Sequence, residues 1–346
     1  MKGKGAQINV PNKFSELKLN TDDHDGLDEE LLQEKPKTQI FNETPIKIIS
    51  TNKSPDIGLS ASINPYQGCE HGCVYCYARN SHEYWGFGAG LDFETKLIVK
   101  PQAPQLLENE FLKSSYKPKT IMLSGNTDCY QPIERKYELT RNLLKVFNKY
   151  QHPVGIITKN ALVTRDIDIL KELASNNLVH VIFSITSLDE GLRQKLEPRT
   201  ASAIKKLKAI EMLTKAGIPT GVMNAPIIPG LNHHEIPEIL KSSAAAGASF
   251  ASYTVVRLNG QVGKIFKDWL AKNFPNRVDK VWNHIQDLHG GNVNDTEFGR
   301  RIKGDGKISE IIRKLFEVSK RKYFKERELP SLETSHFRKG GAYSLF

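Results

Sequence analysis

No stretch of this 346-residue chain is apolar for longer than a strand. A bilayer-spanning helix needs about 20 such residues, so nothing in the sequence reads as a membrane span. The opening MKGKGAQINVPNKF lacks the apolar core of a secretory signal, and a cytoplasmic location is the expectation. There is no internal repeat. Cysteine is scarce, with four in all, and three of these fall within eight residues. In a reducing compartment such clustering points to metal binding or catalysis rather than to disulfides.

Acidic residues are outnumbered, 39 against 49 Lys and Arg, for a formal charge of +10. The imbalance is local. Between Arg300 and Arg327 stand eleven Lys/Arg and four Asp/Glu. This stretch could be a footprint for nucleic-acid phosphates, or simply the solvated face of a helix.

Residues 1–55 are polar, carry an acidic cluster around Asp22–Glu30 and show little periodicity, which predicts an extended, partly disordered lead-in. Over 56–260, β-rich runs at 59–63, 120–124, 154–158, 179–186, 220–228 and 252–257 alternate with helical patterns at 134–150, 166–175, 203–216 and 234–246. Strands alternating with helices imply βαβ units, a parallel sheet and right-handed crossovers. The expected class is α/β, and six units suit a partial (β/α)6 barrel with its chemistry at the carboxyl ends of the strands. Residues 261–330 read as a helical basic extension, with Ile308, Ile311, Ile312, Leu315 and Phe316 on one stripe. Residues 331–346 read as a flexible tail.

The strongest local signal is Asn64-Pro65-Tyr66-Gln67-Gly68-Cys69-Glu70-His71-Gly72-Cys73-Val74-Tyr75-Cys76-Tyr77. Cys69, Cys73 and Cys76 form C-x3-C-x2-C just after the first strand, and Gly68 and Gly72 allow a tight loop. A four-iron cluster ordinarily takes four thiolates, so three would leave one iron open. A structural zinc site is the alternative. It needs a fourth ligand, and His71 and Cys129 are the candidates, neither well placed in sequence.

The cysteine loop after strand one, followed by six β/α units, resembles the radical S-adenosylmethionine (SAM) superfamily over residues 58–257. The resemblance implies a [4Fe–4S] cluster on Cys69, Cys73 and Cys76 whose open iron chelates SAM, which is then cleaved to methionine and a 5′-deoxyadenosyl radical. It would place Tyr75 near the adenine, although ordinary core packing would also explain that residue. The finer pattern, with Tyr77-Ala78-Arg79, Asp92-Phe93-Glu94-Thr95-Lys96 and Thr127-Asp128 followed by Tyr130-Gln131-Pro132-Ile133-Glu134, is similar to the group related to spore photoproduct lyase, often called DNA repair photolyase-like proteins.

Further cofactor contacts are expected at the strand ends. Ser124, Gly125, Asn126 and Asp128 follow strand two, where the superfamily often binds the SAM amino group; a strand-to-helix turn capped by Asp128 is the plainer account. Ser184 closes strand four. Arg199 beyond it could hold the SAM carboxylate bidentately. Cys129 lies in the region where the lyase uses a cysteine as hydrogen-atom donor, a few positions out of step, and a small buried thiol is the competing reading. The terminal Ala342-Tyr343-Ser344-Leu345-Phe346 resembles peptides that bind the bacterial sliding clamp, with Ala and Tyr as departures. A reductase or flavodoxin-type protein is the expected electron donor. Three functional readings stay open: a radical SAM enzyme acting on nucleic acid, one modifying protein, RNA or a small molecule, and a non-catalytic iron–sulfur or zinc protein that binds nucleic acid.

Overall fold

The computed structural model describes residues 3–14, 37–56, 58 and 60–341. In chain order its strands are β1 (Gln39–Asn42), β2 (Ile49–Thr51), β3 (Ala61–Ile63), β4 (Tyr66–Gln67), β5 (Lys96–Val99), β6 (Ile121–Leu123), β7 (Val154–Thr158), β8 (Val179–Ser184), β9 (Thr220–Ile227) and β10 (Phe250–Val255). β3, β6, β7, β8, β9 and β10 lie side by side in that order, all parallel, and β2 runs antiparallel along the outer edge of β3. Each crossover advances by one strand in the same direction. With right-handed connections this winds the helices onto one outer face, which is the architecture of the expected partial barrel.

Aliphatic runs explain why these segments pair. Val179–Ser184 reads VHVIFS and all but His180 is buried, as expected of a parallel strand covered on both faces. The register aligns Val154 with Val179 and Val181 with Thr220. The residues just beyond β6, β7, β8 and β10 therefore gather at one end of the sheet. Helix stops reinforce the pattern: Ser202 caps Ala203–Lys215, and Gly217, in the left-handed region, ends that segment before β9.

Several expectations are corrected. The single helix over 134–150 is two, Glu134–Tyr137 and Leu139–Lys149, broken at Glu138, where φ is 50°. The break follows from the buried Glu134 carboxylate, which accepts the N–H groups of Thr140 (3.0 Å) and Arg141 (3.3 Å) and so caps the second helix from the first. Strand ends differ from the sequence reading by a few residues; Leu59 lies outside the described residues. A second sheet, β1-β5-β4, has too few residues to show periodicity. The lead-in is not loose throughout: residues 3–14 are seated on the cysteine loop, with Ala6 and Val10 buried. The acidic cluster Asp22–Glu30 lies outside the described residues.

The tail is likewise docked as far as 341. Phe337 packs among Phe111, Tyr116 and His152, the Arg338 N–H donates to the Tyr150 carbonyl (2.9 Å), and the Lys339 ammonium donates to the Ser114 carbonyl (2.7 Å). Its aromatic side chain completes an apolar cluster, which outweighs the flexibility suggested by the glycines. The clamp-like Ala342–Phe346 lies outside the described residues.

The basic extension divides. Its long helix Gly306–Tyr323 buries Ile312 and Phe316 and packs on the Ile236–Ala245 helix and on Tyr253 of edge strand β10. Toward its carboxyl end Lys320 lies over Phe250, the first residue of β10, so the helix runs away from the strand ends that carry Lys159 and Ser184. Lys303 is half-buried, donating to the Tyr253 carbonyl (2.7 Å) above that ring. Among the described residues no helix is long and apolar enough to cross a membrane.

Candidate functional site

The cysteine loop is held from several directions. Cys69 N–H donates to the Phe93 carbonyl (2.8 Å) and Val74 N–H to the Leu196 carbonyl (2.9 Å). Gly68 and Gly72 both adopt positive φ, and each is crowded by neighbours that leave no room for a side chain. Below the loop, Arg79 is fully buried: its Nε donates to the Cys73 carbonyl (2.9 Å), one nitrogen reaches the Gly90 carbonyl (2.9 Å), and another pairs with Glu94 (2.6 Å). Glu94 accepts in turn from the N–H groups of Gly5 (3.2 Å) and Ala6 (2.7 Å). The Arg79 and Glu94 of the two sequence motifs are thus one clamp joining the loop to the amino-terminal segment.

Cys69 and Cys73 are buried and Cys76 is partly so. Burial pushes the Cys69 thiol up, followed by the charge of Asp128 and the neighbouring thiols of Cys73 and Cys76; burial likewise raises Cys73 and Cys76. The three thiols are close enough to oppose one another's ionisation, and metal coordination relieves such a strain by binding the thiolates. Among the described residues no three His, Cys, Asp or Glu side chains are drawn together as ligands of one ion. Neither proposed fourth zinc ligand points to the trio. His71 turns Nδ1 to Asp128 (3.4 Å) and accepts at Nε2 from Asn160 (3.3 Å). Cys129 belongs to the main core.

Beside the loop lies a buried polar network at the carboxyl ends of β7, β8 and β9. Lys159 donates to Ser184 (2.8 Å), Thr186 (2.9 Å) and the Ala225 carbonyl (2.9 Å), and stands 3.2 Å from Glu197. Glu197 also pairs with the buried Lys206 (3.1 Å) and accepts from the Tyr75 hydroxyl. Burial opposes the Glu197 charge, but Lys159, Lys206 and the Tyr75 hydroxyl outweigh it and hold the carboxyl well below its ordinary range. Tyr75 is tied into this network, with Lys159 5.6 Å from its ring centre.

The other expected contacts are placed as follows. Ser124 accepts from Cys129 N–H (3.0 Å) across the turn, and the Gly125 carbonyl accepts from the Tyr77 hydroxyl. Asn126 donates through its amide to Gln67 (2.6 Å) and Ser81 (2.9 Å). Asp128 accepts from Tyr130 N–H, Thr158 Oγ1, Lys159 N–H and His71, which fills both carboxylate oxygens. Burial works against that charge, yet His71 and the N–H donors keep the carboxyl below its usual range. The turn account of Asp128 is the one these bonds support. Arg199 faces the amino-terminal segment: its Nε donates to the Gly3 carbonyl (3.2 Å), and Glu70 is 3.8 Å away. Lys159, not Arg199, is the cation at the centre of the network. Cys129 has no exposed surface and burial pushes its thiol far up, as expected of a core residue rather than of a group facing a substrate. Nothing in the sequence pointed to Lys206, whose charge is submerged in a basic helix.

Comparison with known proteins fits this geometry. The Radical SAM superfamily profile matches residues 63–242, just over half of the chain. An uncharacterized protein of Mycobacterium tuberculosis is 33% identical over 221 residues, and the match spans 63% of this chain and 65% of that protein's own length. An uncharacterized protein of Methanocaldococcus jannaschii is 31% identical over 247 residues, 71% of this chain and 88% of that one. A radical SAM Nα-GlyT isomerase of Pseudomonas phage M6 is 26% identical over 228 residues, 60% of this chain and 45% of that one. In fold the chain is similar to spore photoproduct lyase complexed with dinucleoside spore photoproduct, with a TM-score of 0.60, 15% identity and coverage of 83% and 80%. The chain belongs to the radical SAM superfamily.

Proposed function

We propose that Cys69, Cys73 and Cys76 hold a [4Fe–4S] cluster with which this enzyme cleaves SAM, and that its substrate is a nucleic acid. The observation that carries the first part is the trio itself: three buried thiols on one clamped loop, with neither His71 nor Cys129 turned to close the set. When bound, such a cluster supplies the electron that splits SAM into methionine and a 5′-deoxyadenosyl radical. The chain's own residues position and shield. Arg79 and Glu94 fix the loop, Lys159 offers a cation beside the thiols, and Glu197 with Thr186 and Ser184 holds that ammonium in place. The buried setting of Tyr75 and Cys73 keeps bulk water from this side of the loop.

Support for nucleic acid is the basic segment beginning at Arg300 and the fold shared with a lyase crystallised with a dinucleoside lesion. Anaerobic reconstitution with iron and sulfide, followed by reductant and SAM, tests the chemistry. The expected product is 5′-deoxyadenosine, and a fully loaded protein that yields none overturns the reading. A steep fall of oligonucleotide affinity with salt is expected if phosphates are contacted.

A further inference from the structure

A concavity of about 510 Å³ lies between the segment leading into β3 and the start of the basic extension. That size is typical of ligand sites. Its walls include Lys53, Ser54, Arg257, Phe298 and Arg301. Arg301 is engaged with Asp56 and Ser54. Arg257 is different: among the described residues its guanidinium has neither an ion pair nor a hydrogen bond. Burial and the nearby Arg301 charge depress its affinity for the proton, and the neighbouring Asp56 and Asp295 carboxylates are themselves paired with Arg301 and Arg300. A guanidinium stripped of water without a counter-charge is unfavourable, and an anion in the cleft would remove that penalty.

The aromatic wall narrows the kind of anion. Phe298 is 58% exposed, and the Arg301 guanidinium lies 4.5 Å from its ring centre. An exposed ring in the same cleft as the unpartnered Arg257 suits a ligand that carries both a flat ring and a phosphate. The position is also informative. Arg257 lies two residues beyond β10, and its charge is felt by Tyr77, the neighbour of Cys76. Asn80, three residues beyond Tyr77, is tied to this region by donating to the Asn259 carbonyl (2.8 Å) and accepting from Gln261 N–H (3.0 Å).

We propose that this cleft binds a nucleotide unit, its phosphate taken by Arg257 with Lys53 and its ring stacked on Phe298. The choice of a nucleotide as part of the substrate rests on the nucleic-acid reading above; phosphate capture by Arg257 does not.

Binding is measured on the cluster-loaded full chain, without reductant or SAM, using three probes: inorganic phosphate, thymidine monophosphate and a single-stranded thymidine decamer. Arg257→Gln is expected to weaken all three, about tenfold for the decamer, and to lower the slope of log affinity against log salt by about one. Arg257→Lys restores most of the affinity, which separates loss of charge from misfolding. Phe298→Ala weakens the nucleotide and the decamer and leaves inorganic phosphate unchanged. A decamer bound much more tightly than the mononucleotide assigns the site to a strand, and equal affinity assigns it to a free nucleotide. Wild-type protein that binds none of the probes, or Arg257→Gln and Phe298→Ala that bind all as wild type does, overturns the proposal. A protein that cleaves SAM yet shows that result keeps the cluster reading and loses only the cleft. Binding intact in a protein that makes no 5′-deoxyadenosine does the reverse.

Discussion

Gly5 is pressed against Gly72 so closely that a Cβ on Gly5 would stand 1.6 Å from the Gly72 carbonyl oxygen. The amino-terminal segment is therefore a strap across the cysteine loop, secured by Glu94 through the N–H groups of Gly5 and Ala6. Gly5→Ala cannot be accommodated without moving backbone on one side. Overpacking of this kind costs about 1–3 kcal/mol. The variant is expected to melt at lower temperature and to retain less iron after gel filtration, both compared with wild type. An unchanged melting temperature would show that the strap does not grip the loop.

The four cysteines should divide three to one. Replacing Cys69, Cys73 or Cys76 by Ala is expected to remove bound iron and 5′-deoxyadenosine formation together. Cys129→Ser should keep both, since that thiol lies in the core and its backbone is held by Ser124 and Thr140. Its effect is on stability, through a hydroxyl placed among apolar side chains, at about 1–3 kcal/mol. Iron and acid-labile sulfide per chain, measured beside thermal melting, settle the division. Loss of 5′-deoxyadenosine by Cys129→Ser with iron retained would place that thiol in the reacting site rather than in the core.

The barrel strands and the cysteine loop were legible because their signals are local: aliphatic runs bounded by turns, and three thiols in eight residues. What sequence could not show depends on side chains meeting across the fold. Glu134 caps the Leu139–Lys149 helix only because it is buried, so the helix pattern ran straight through Glu138. Arg199 stood in a promising position along the chain, yet its guanidinium is drawn to Gly3, nearly two hundred residues away. Asp128 read as a SAM contact or a turn cap at a strand end, and four separate donors from three parts of the chain occupy it. Phe337 seemed part of a loose tail until Phe111 and His152 gave it a place to dock.

Glu197 lies between two ammonium groups, Lys159 at 3.2 Å and Lys206 at 3.1 Å. Glu197→Gln would leave both charges buried without a counter-ion, a change that destabilises by about 3–5 kcal/mol. The expected result is a large drop in the urea midpoint with an unchanged slope. Adding Lys206→Met to that variant should recover much of the loss, because one uncompensated charge is removed. Additive effects of the two substitutions would mean that the pair is not coupled.

His152 gives the protein an acid-sensitive core. Its ring stacks on Phe111 at 4.4 Å, lies 2.8 Å from the Tyr116 hydroxyl and 3.0 Å from the Pro153 carbonyl, and has no exposed surface. The carbonyl can only accept, so Nδ1 carries the hydrogen, and in the neutral ring Nε2 accepts from the Tyr116 hydroxyl. Burial lowers its pKa to about 4, against 6.5 for an exposed histidine. Above pH 6.5 the ring is neutral whether folded or unfolded, and it makes stability no more dependent on pH. As pH falls below 6.5 the unfolded chain takes up a proton that the folded chain refuses, so stability declines, by about 3 kcal/mol once pH 4 is reached. Urea unfolding at a series of pH values should show this slope in wild type, and His152→Phe should flatten it while lowering stability at neutral pH. Parallel slopes in the two proteins would place the acid sensitivity elsewhere.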